Sequence, residues 1–295
     1  MPKKILIVGA SGLVGSTLVE YASKNFELYL VNNKTSFSFE NFPVTHIDLT
    51  KNRNSIVDLI NEYKPDFVVN TVAYPNVDFC ETNHHLADIL HVEVTRDISK
   101  VCNSVGSNVI YFSTDAVFDG KTSKKYTEKD PTNPISYYGK TKLESEKILL
   151  QNNSNVVLRT TVIYGSHTKS RFTNWVLNSL KSSQPVSAFT DQYNTPTLVD
   201  DLVKSILRIF EKEITGLYNA VGKTCLSRYE FALKLSEKFG YDNKLIVPTS
   251  SKEKNQIASR PPNGCLDSSK LENDINFQFS DIDTGIESIY QKSQN

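Results

Sequence analysis

Tyr138 and Lys142 stand four residues apart in the stretch "SYYGKTKLE", residues 136–144. On a helix, side chains four apart share a face and can couple. An unperturbed phenol, with a pKa of about 10, is a poor acid–base group at neutral pH. A cation about 4 Å away, at an effective dielectric of about 20, contributes roughly 4 kcal/mol, or about three pKa units. That shift would bring the phenol near neutrality and suit it to protonating a carbonyl oxygen as a hydride reaches the carbon. The same spacing pairs Tyr137 with Thr141 and leaves Lys140 pointing elsewhere. A second hydroxyl, to orient the carbonyl, is offered by "YFSTDAVF" (111–118), with Thr114 the first candidate and Ser113 the second. The C-terminal end of a parallel strand is where α/β proteins bind ligands. A Tyr-x-x-x-Lys pair alone is ordinarily surface helix; its company is what lends it chemistry.

A hydride source is signalled by "ILIVGASGLVGSTL" (5–18), a strand followed by Gly9, Gly12 and Gly15 and then a helix. In this context Gly9 allows the tight turn, Gly12 lets backbone approach a pyrophosphate, and Gly15 lets the helix pack on the sheet. Ser11, Leu13 and Val14 complete the turn, and the free N–H groups of the helix start favour phosphate. The second strand runs into Asn32, Asn33 and Lys34 with no Asp or Glu. A carboxylate there would repel a 2′-phosphate, whereas Asn and Lys accept one, so NADP(H) is preferred and NAD(H) is the alternative, with Lys34 equally readable as a solvated surface lysine. Asp48 and Leu49, after the third strand, lie where adenine would sit, and Thr71, Val72, Ala73 and Tyr74 follow the fourth strand, small Ala73 leaving room for the cofactor.

Short β-branched runs at 4–9, 27–32, 44–48, 66–72, 108–114 and 155–161 alternate with helical patterns near 13–24, 54–63, 84–104 and 136–151. Nearly continuous apolar strands alternating with helices indicate a Rossmann-like, doubly wound parallel sheet, an α/β fold. The expected division is a nucleotide-binding domain over 1–165 and a smaller substrate-binding lobe over 166–295, with segments near 186–220 returning to the first. In the second half, "SRYEFALKLSEKFG" (227–240) opens on a Ser N-cap with Glu230 at N3 and stops at Gly240.

The 295 residues carry 33 Lys+Arg against 33 Asp+Glu, so no basic surface points to nucleic acid or to a membrane. The N-terminal apolar run is interrupted by the three glycines and does not read as a secretion signal; a cytoplasmic setting is expected. Cys80, Cys102, Cys225 and Cys265 show neither C-x-x-C nor metal-ligand spacing and read as reduced, buried thiols. His84-His85 reads as a solvated helix start, and no metal site is expected.

Together "GASGLVG", "NTVAYPNVDFCE", "STDAVFDG", "DPTNPISYYGKTKLESE", "LRTTVIYG", "DQYNTPT", "GLYNAVG" and "RPPNGCLDSSKL" span residues 9 to 271. They resemble the extended short-chain dehydrogenase/reductase superfamily and, within it, the dTDP-4-dehydrorhamnose reductase family, which makes dTDP-L-rhamnose with NAD(P)H. The resemblance implies Thr114 as catalytic hydroxyl, Tyr138 as acid and Lys142 as its partner and a cofactor-ribose contact. It implies Ser113, Asp115, Gln192, Thr197 and Arg260 around a nucleotide-sugar substrate, the planar fork of Arg260 suiting a diphosphate. Short-chain reductases commonly dimerise, which leaves room for a homodimer. Four positions depart from the family's habit: Ala116 where an aromatic is usual, Val162 where Trp is common, His91 for Asn, and Asn194 for Gly. Two alternatives stay open. One is a sugar-nucleotide epimerase or dehydratase of the same superfamily. The other is a non-catalytic NADP-binding regulatory subunit resembling the methionine adenosyltransferase beta subunit.

Overall fold

Alternate residues of the first strand serve two different cores: Ile5 and Ile7 face one, Leu6 and Val8 the other. Side chains alternate across a strand, so a run that is apolar at every position must be covered on both sides. The computed structural model describes residues 2–33, 39, 42–254 and 256–294; Lys34 lies outside the described residues. The order begins β1 (Lys4–Val8), α1 (Leu13–Ala22), β2 (Glu27–Asn32), β3 (Val44–His46), α2 (Asn54–Tyr63) and β4 (Phe67–Asn70). It continues through α3 (Val77–Thr82), α4 (His84–Ala87), a π-helical turn (Asp88–Glu93), α5 (Val94–Val105), β5 (Asn108–Thr114), α6 (Tyr137–Leu149) and β6 (Val156–Thr160). Beyond these come β7 (Ile163–Tyr164), α7 (Arg171–Lys181), β8 (Val186–Phe189), β9 (Tyr193–Asn194), β10 (Thr197–Leu198) and α8 (Val199–Lys212). The chain closes with β11 (Gly216–Asn219), β12 (Leu226–Ser227), α9 (Arg228–Phe239), β13 (Ile246–Thr249), β14 (Asn263–Gly264), α10 (Ser269–Ile275) and α11 (Ile282–Gln294).

Among the described residues, seven parallel strands form the main sheet in the order β11-β6-β5-β4-β1-β2-β3. Helices α1, α8 and α10 cover one face, and α2, α5 and α6 the other. The strand order reverses between β1 and β4, so the turns after these two strands open a crevice at the carboxyl edge. The expected helix over 84–104 is broken by the π-helical turn, whose extra residue swings His91 to a fully buried position.

A third core joins β8 and β13, paired in parallel, with α7, α9 and α11. The segment expected to return to the sheet does so only in part. α8 packs on α1 and β11 pairs with β6, whereas β8 stays in the small sheet because its partner is β13. Ser227 and Glu230 form the reciprocal cap of α9, and Gly240 ends it with φ +72°. The cysteine expectation is corrected. Cys225 and Cys265 form a disulfide with Cα atoms 5.6 Å apart, because folding places the end of β14 beside the loop before β12. Cys80 and Cys102 are free, and burial pushes their thiols up to about 11 and about 12. Among the described residues no helix is long and apolar enough to cross a membrane.

Candidate active site

The glycine turn is built as the spacing requires. Gly9 has φ +90°, and a Cβ there would lie 2.5 Å from Thr71 Oγ1. A Cβ on Gly15 would lie 2.4 Å from the Gly9 carbonyl, so α1 could not seat against the turn. Gly12 is the N-cap of α1 and offers no side chain to its N–H groups, and the first turn holds no carboxylate. Those donors and the positive end of the helix dipole therefore face outward, which fits a dinucleotide phosphate. Asn32 ends β2 buried, and its Oδ1 accepts from the Ser11 N–H at 3.3 Å and the Ser11 hydroxyl at 2.5 Å. Asn32 thus shapes the turn from beneath. Thr71 Oγ1 donates to the carbonyls of Val8 (2.9 Å) and Gly9 (3.1 Å), tying the two edges of the crevice. Asp48 Oδ1 accepts from the Thr50 hydroxyl at 2.6 Å and fixes the loop after β3. The Asn70 Nδ2 group is buried at the crevice edge without a partner among the described residues, beside Val72, whose N–H binds Asn70 Oδ1.

Ser136 caps α6 by accepting the Gly139 N–H at 3.2 Å. A Cβ on Gly139 would lie 2.2 Å from the Ala116 carbonyl, so this glycine lets α6 touch the turn after β5. That approach joins Tyr138 to Thr114. The Thr114 hydroxyl donates to Asp115 Oδ1 at 3.0 Å and accepts the Ala116 N–H at 3.1 Å. The pairing expectation for the phenol is corrected in sign. Burial, then the Asp115 carboxylate, raise the Tyr138 pKa, and only the Thr114 hydroxyl opposes them. Lys142 is 2% exposed, with its ammonium 4.0 Å from the centre of the Tyr111 ring. Burial pulls it down to about 7, partly offset by Glu146. Desolvation penalises the charged form of each group and is the largest cause of each shift. Tyr137 turns away: its hydroxyl donates to Asp88 at 2.8 Å and its ring stacks on His84 at 3.6 Å.

His91 links the segment after β4 to α6. Its Nε2 accepts the Tyr74 N–H at 2.9 Å, so in the neutral ring Nδ1 carries the proton towards Thr141 Oγ1 at 2.8 Å. Thr141 in turn donates to the Tyr138 carbonyl at 2.9 Å. Burial pulls the His91 pKa down to about 3, which holds the ring neutral.

The opposite wall differs from expectation at several places. Ser113 does not face the crevice. Alternation along β5 points it under α6, where it donates to Glu146 Oε1 at 2.5 Å, and Glu146 also pairs with the buried Arg159 at 2.7 Å. Thr197 is fully buried and donates to the Thr161 carbonyl at 3.0 Å, joining β10 to β7 instead of meeting a sugar. The Arg260 fork is bound by both Asp78 oxygens, at 2.6 and 3.0 Å, so its expected diphosphate contact is already taken by a carboxylate. This ion pair pulls the Asp78 pKa down and ties α3 to the C-terminal lobe. Gln192 donates to Gln256 at 2.6 Å. Asp115 accepts from Asn194 Nδ2 at 2.6 Å, and burial raises its pKa while Thr114 and Arg228 oppose. Arg228 is absent from the sequence expectations. An arginine after an N-cap serine reads as a solvated helix start, and only the folded chain brings its charge within reach of Asp115. Val162 adopts φ +45°, a strained setting for a β-branched residue, and packs against the third core, its carbonyl accepting the Thr197 N–H at 3.2 Å.

Residues 3–295 match the family described as RmlD substrate binding domain. The dTDP-4-dehydrorhamnose reductase of Aggregatibacter actinomycetemcomitans is 28% identical over 298 residues, 97% of this chain and 98% of that protein. The methionine adenosyltransferase 2 subunit beta of Xenopus laevis is 31% identical over 279 residues, 92% of this chain and 82% of that protein. Among solved structures, a dTDP-4-dehydrorhamnose reductase from Bacillus anthracis in complex with NADP superposes with a TM-score of 0.90 at 25% identity, covering 99% of this chain and 100% of that one. With a family match over nearly its full length and a crevice built from the glycine turn, Thr114, Tyr138 and Lys142, this chain belongs to the RmlD substrate binding domain family.

Proposed function

We propose that this protein is an NADP(H)-dependent reductase of the 4-keto group of a nucleotide-linked 6-deoxy sugar, acting like a dTDP-4-dehydrorhamnose reductase in dTDP-L-rhamnose synthesis. The observation that carries this is the convergence of Thr114 and Tyr138 at the crevice edge, with Lys142 buried one helical turn behind. The residues fit a dinucleotide: the uncapped start of α1 and the Gly9 turn would hold its phosphates, and Thr71, Val72, Ala73 and Tyr74 would flank it. A bound reduced nicotinamide supplies hydride to the carbonyl carbon. The chain's own share is the proton. Because burial holds the Tyr138 phenol protonated through neutral pH, it enters the reaction with a proton to donate to the sugar oxygen. As that proton leaves, negative charge appears on the phenol and favours the charged form of Lys142, which stabilises it. Thr114, already oriented by Asp115 and Ala116, holds the same oxygen in line.

Tyr138→Phe should bind NADPH as the wild type does and lose at least about a hundredfold in turnover. Consumption of NADPH with dTDP-4-dehydro-L-rhamnose, followed by absorbance, checks this. Wild-type protein that leaves the cofactor unoxidised across a panel of nucleotide sugars, with none raising its melting temperature, would remove the proposal. Purification with cofactor bound and turnover without added NADPH would favour the epimerase or dehydratase alternative. One observation favours a regulatory reading: Asp78 already neutralises Arg260, the cation expected to meet the substrate diphosphate. Copurification with a synthetase, without sugar-nucleotide turnover, would support that role.

A further inference from the structure

The segment from Gly165 to Ser170 joins β7 to α7 and reaches back over the start of α1. Its base is fixed from within. The Gly165 N–H donates to Ser170 Oγ at 3.0 Å, and Asn174 Nδ2 donates to the carbonyls of His167 at 3.0 Å and Thr168 at 2.8 Å. Its tip is fixed to the glycine turn. His167 Nδ1 accepts the Lys169 N–H at 3.0 Å, so the neutral ring carries its proton on Nε2, 3.2 Å from Ser16 Oγ. Ser16 donates onward to the Gly12 carbonyl at 2.7 Å. The Lys169 ammonium donates to the Ser11 carbonyl, one residue before the N-cap of α1. A space of about 170 Å³ between Thr17 and Glu20 of α1, Ser166 and His167 of the strap, and Asp200 and Lys292 leaves the strap unpacked along its flank. Polar contacts at the tip are what hold it across the turn.

The stretch Gly9–Gly15 contains no cation, while a dinucleotide pyrophosphate carries two negative charges. Backbone N–H groups and a helix dipole meet part of that charge. We propose that the 166–169 strap clamps the cofactor pyrophosphate, with Lys169 as the cation and His167 as the anchor that positions it. A phosphate oxygen is a stronger partner for an ammonium than the Ser11 carbonyl, because both groups are ionised. On binding, the ammonium moves from that carbonyl to the phosphate while His167 keeps its hold on Ser16. This rests on the dinucleotide reading of the glycine turn and adds a residue outside it.

Equilibrium binding to the full chain tests the clamp without turnover, using NADPH, NADH, ADP-ribose and 2′-AMP at two salt concentrations. Lys169 is exposed, so Lys169→Met leaves the fold intact. It should weaken NADPH, NADH and ADP-ribose alike by about tenfold and flatten their salt dependence. 2′-AMP, which lacks a pyrophosphate, should be unaffected, and Lys169→Arg should keep most of the affinity. His167→Ala should show the same ligand pattern with a smaller loss. Wild-type affinities in Lys169→Met for all three pyrophosphate ligands overturn the clamp alone. A loss confined to NADPH and 2′-AMP also overturns it, assigning Lys169 to the 2′-phosphate. Failure of the wild type to bind any of the four overturns the dinucleotide reading and the clamp with it.

Discussion

Burial decides the behaviour of the central residues, and His91 shows it most cleanly. Its pKa is pulled from the ordinary 6.5 to about 3 because burial penalises the charged ring and the nearby Lys142 charge opposes a second cation. Between those two values the unfolded chain binds more protons than the folded one, so stability rises with pH. The contribution is therefore complete above about pH 6.5 and drains away as pH falls towards 3. Lowering the pH from 7 to 5 should cost about 2 kcal/mol through this residue. His91→Asn should lose that part of the slope, read from urea unfolding at the two pH values; an unchanged slope would refute the assignment. The Tyr–Lys spacing was readable from residue types alone. The direction of the phenol's shift was not, since desolvation depends on what covers the pair.

At the scale of elements, two glycines let backbones converge on the Asp115–Ala116 turn: Gly139 from α6 and Gly264 from β14. Gly139→Ala would place its methyl 2.2 Å from the Ala116 carbonyl. Relief requires α6 or the turn to move, at a cost of about 1–3 kcal/mol, and the move separates Tyr138 from Thr114. The melting temperature should fall by a few degrees, and turnover should fall by more than the loss of folded protein explains. An alanine variant with wild-type melting and turnover would show that the approach is looser than the structure has it. The caps of α6 and α9 were legible because Ser136 and the Ser227/Glu230 pair act within one turn of chain. The π-helical turn that buries His91 was not, since its extra residue is accommodated by packing against α6.

Across the whole molecule, the C-terminal lobe is held to the crevice by the Asp78–Arg260 pair and is crosslinked within itself by the Cys225–Cys265 disulfide, which closes a loop with a sequence separation of 40. By loop-closure entropy such a crosslink contributes about 4 kcal/mol. Reductant, or Cys225→Ser, should therefore lower the urea midpoint and act mainly on the lobe. Equal midpoints with and without reductant, with four thiols alkylated in unfolded protein never exposed to reductant, would show the bond absent in solution.

The amino-acid sequence by itself determined the alternation of strands and helices, the glycine turn, the register of Tyr138 with Lys142 and the family resemblance. Each depends on spacing within a few residues of chain, where helix and strand periods fix geometry. Only the tertiary structure decided which polar groups were left for a ligand. Ser113, Thr197 and Arg260 carry suitable chemistry in sequence, yet Glu146, the Thr161 carbonyl and Asp78 claim them across 33, 36 and 182 positions. The same long-range closure brings the Arg228 charge to Asp115 and the Lys169 ammonium to the Ser11 carbonyl. A buried polar group must find a partner, and which partner it meets is set by how the elements pack.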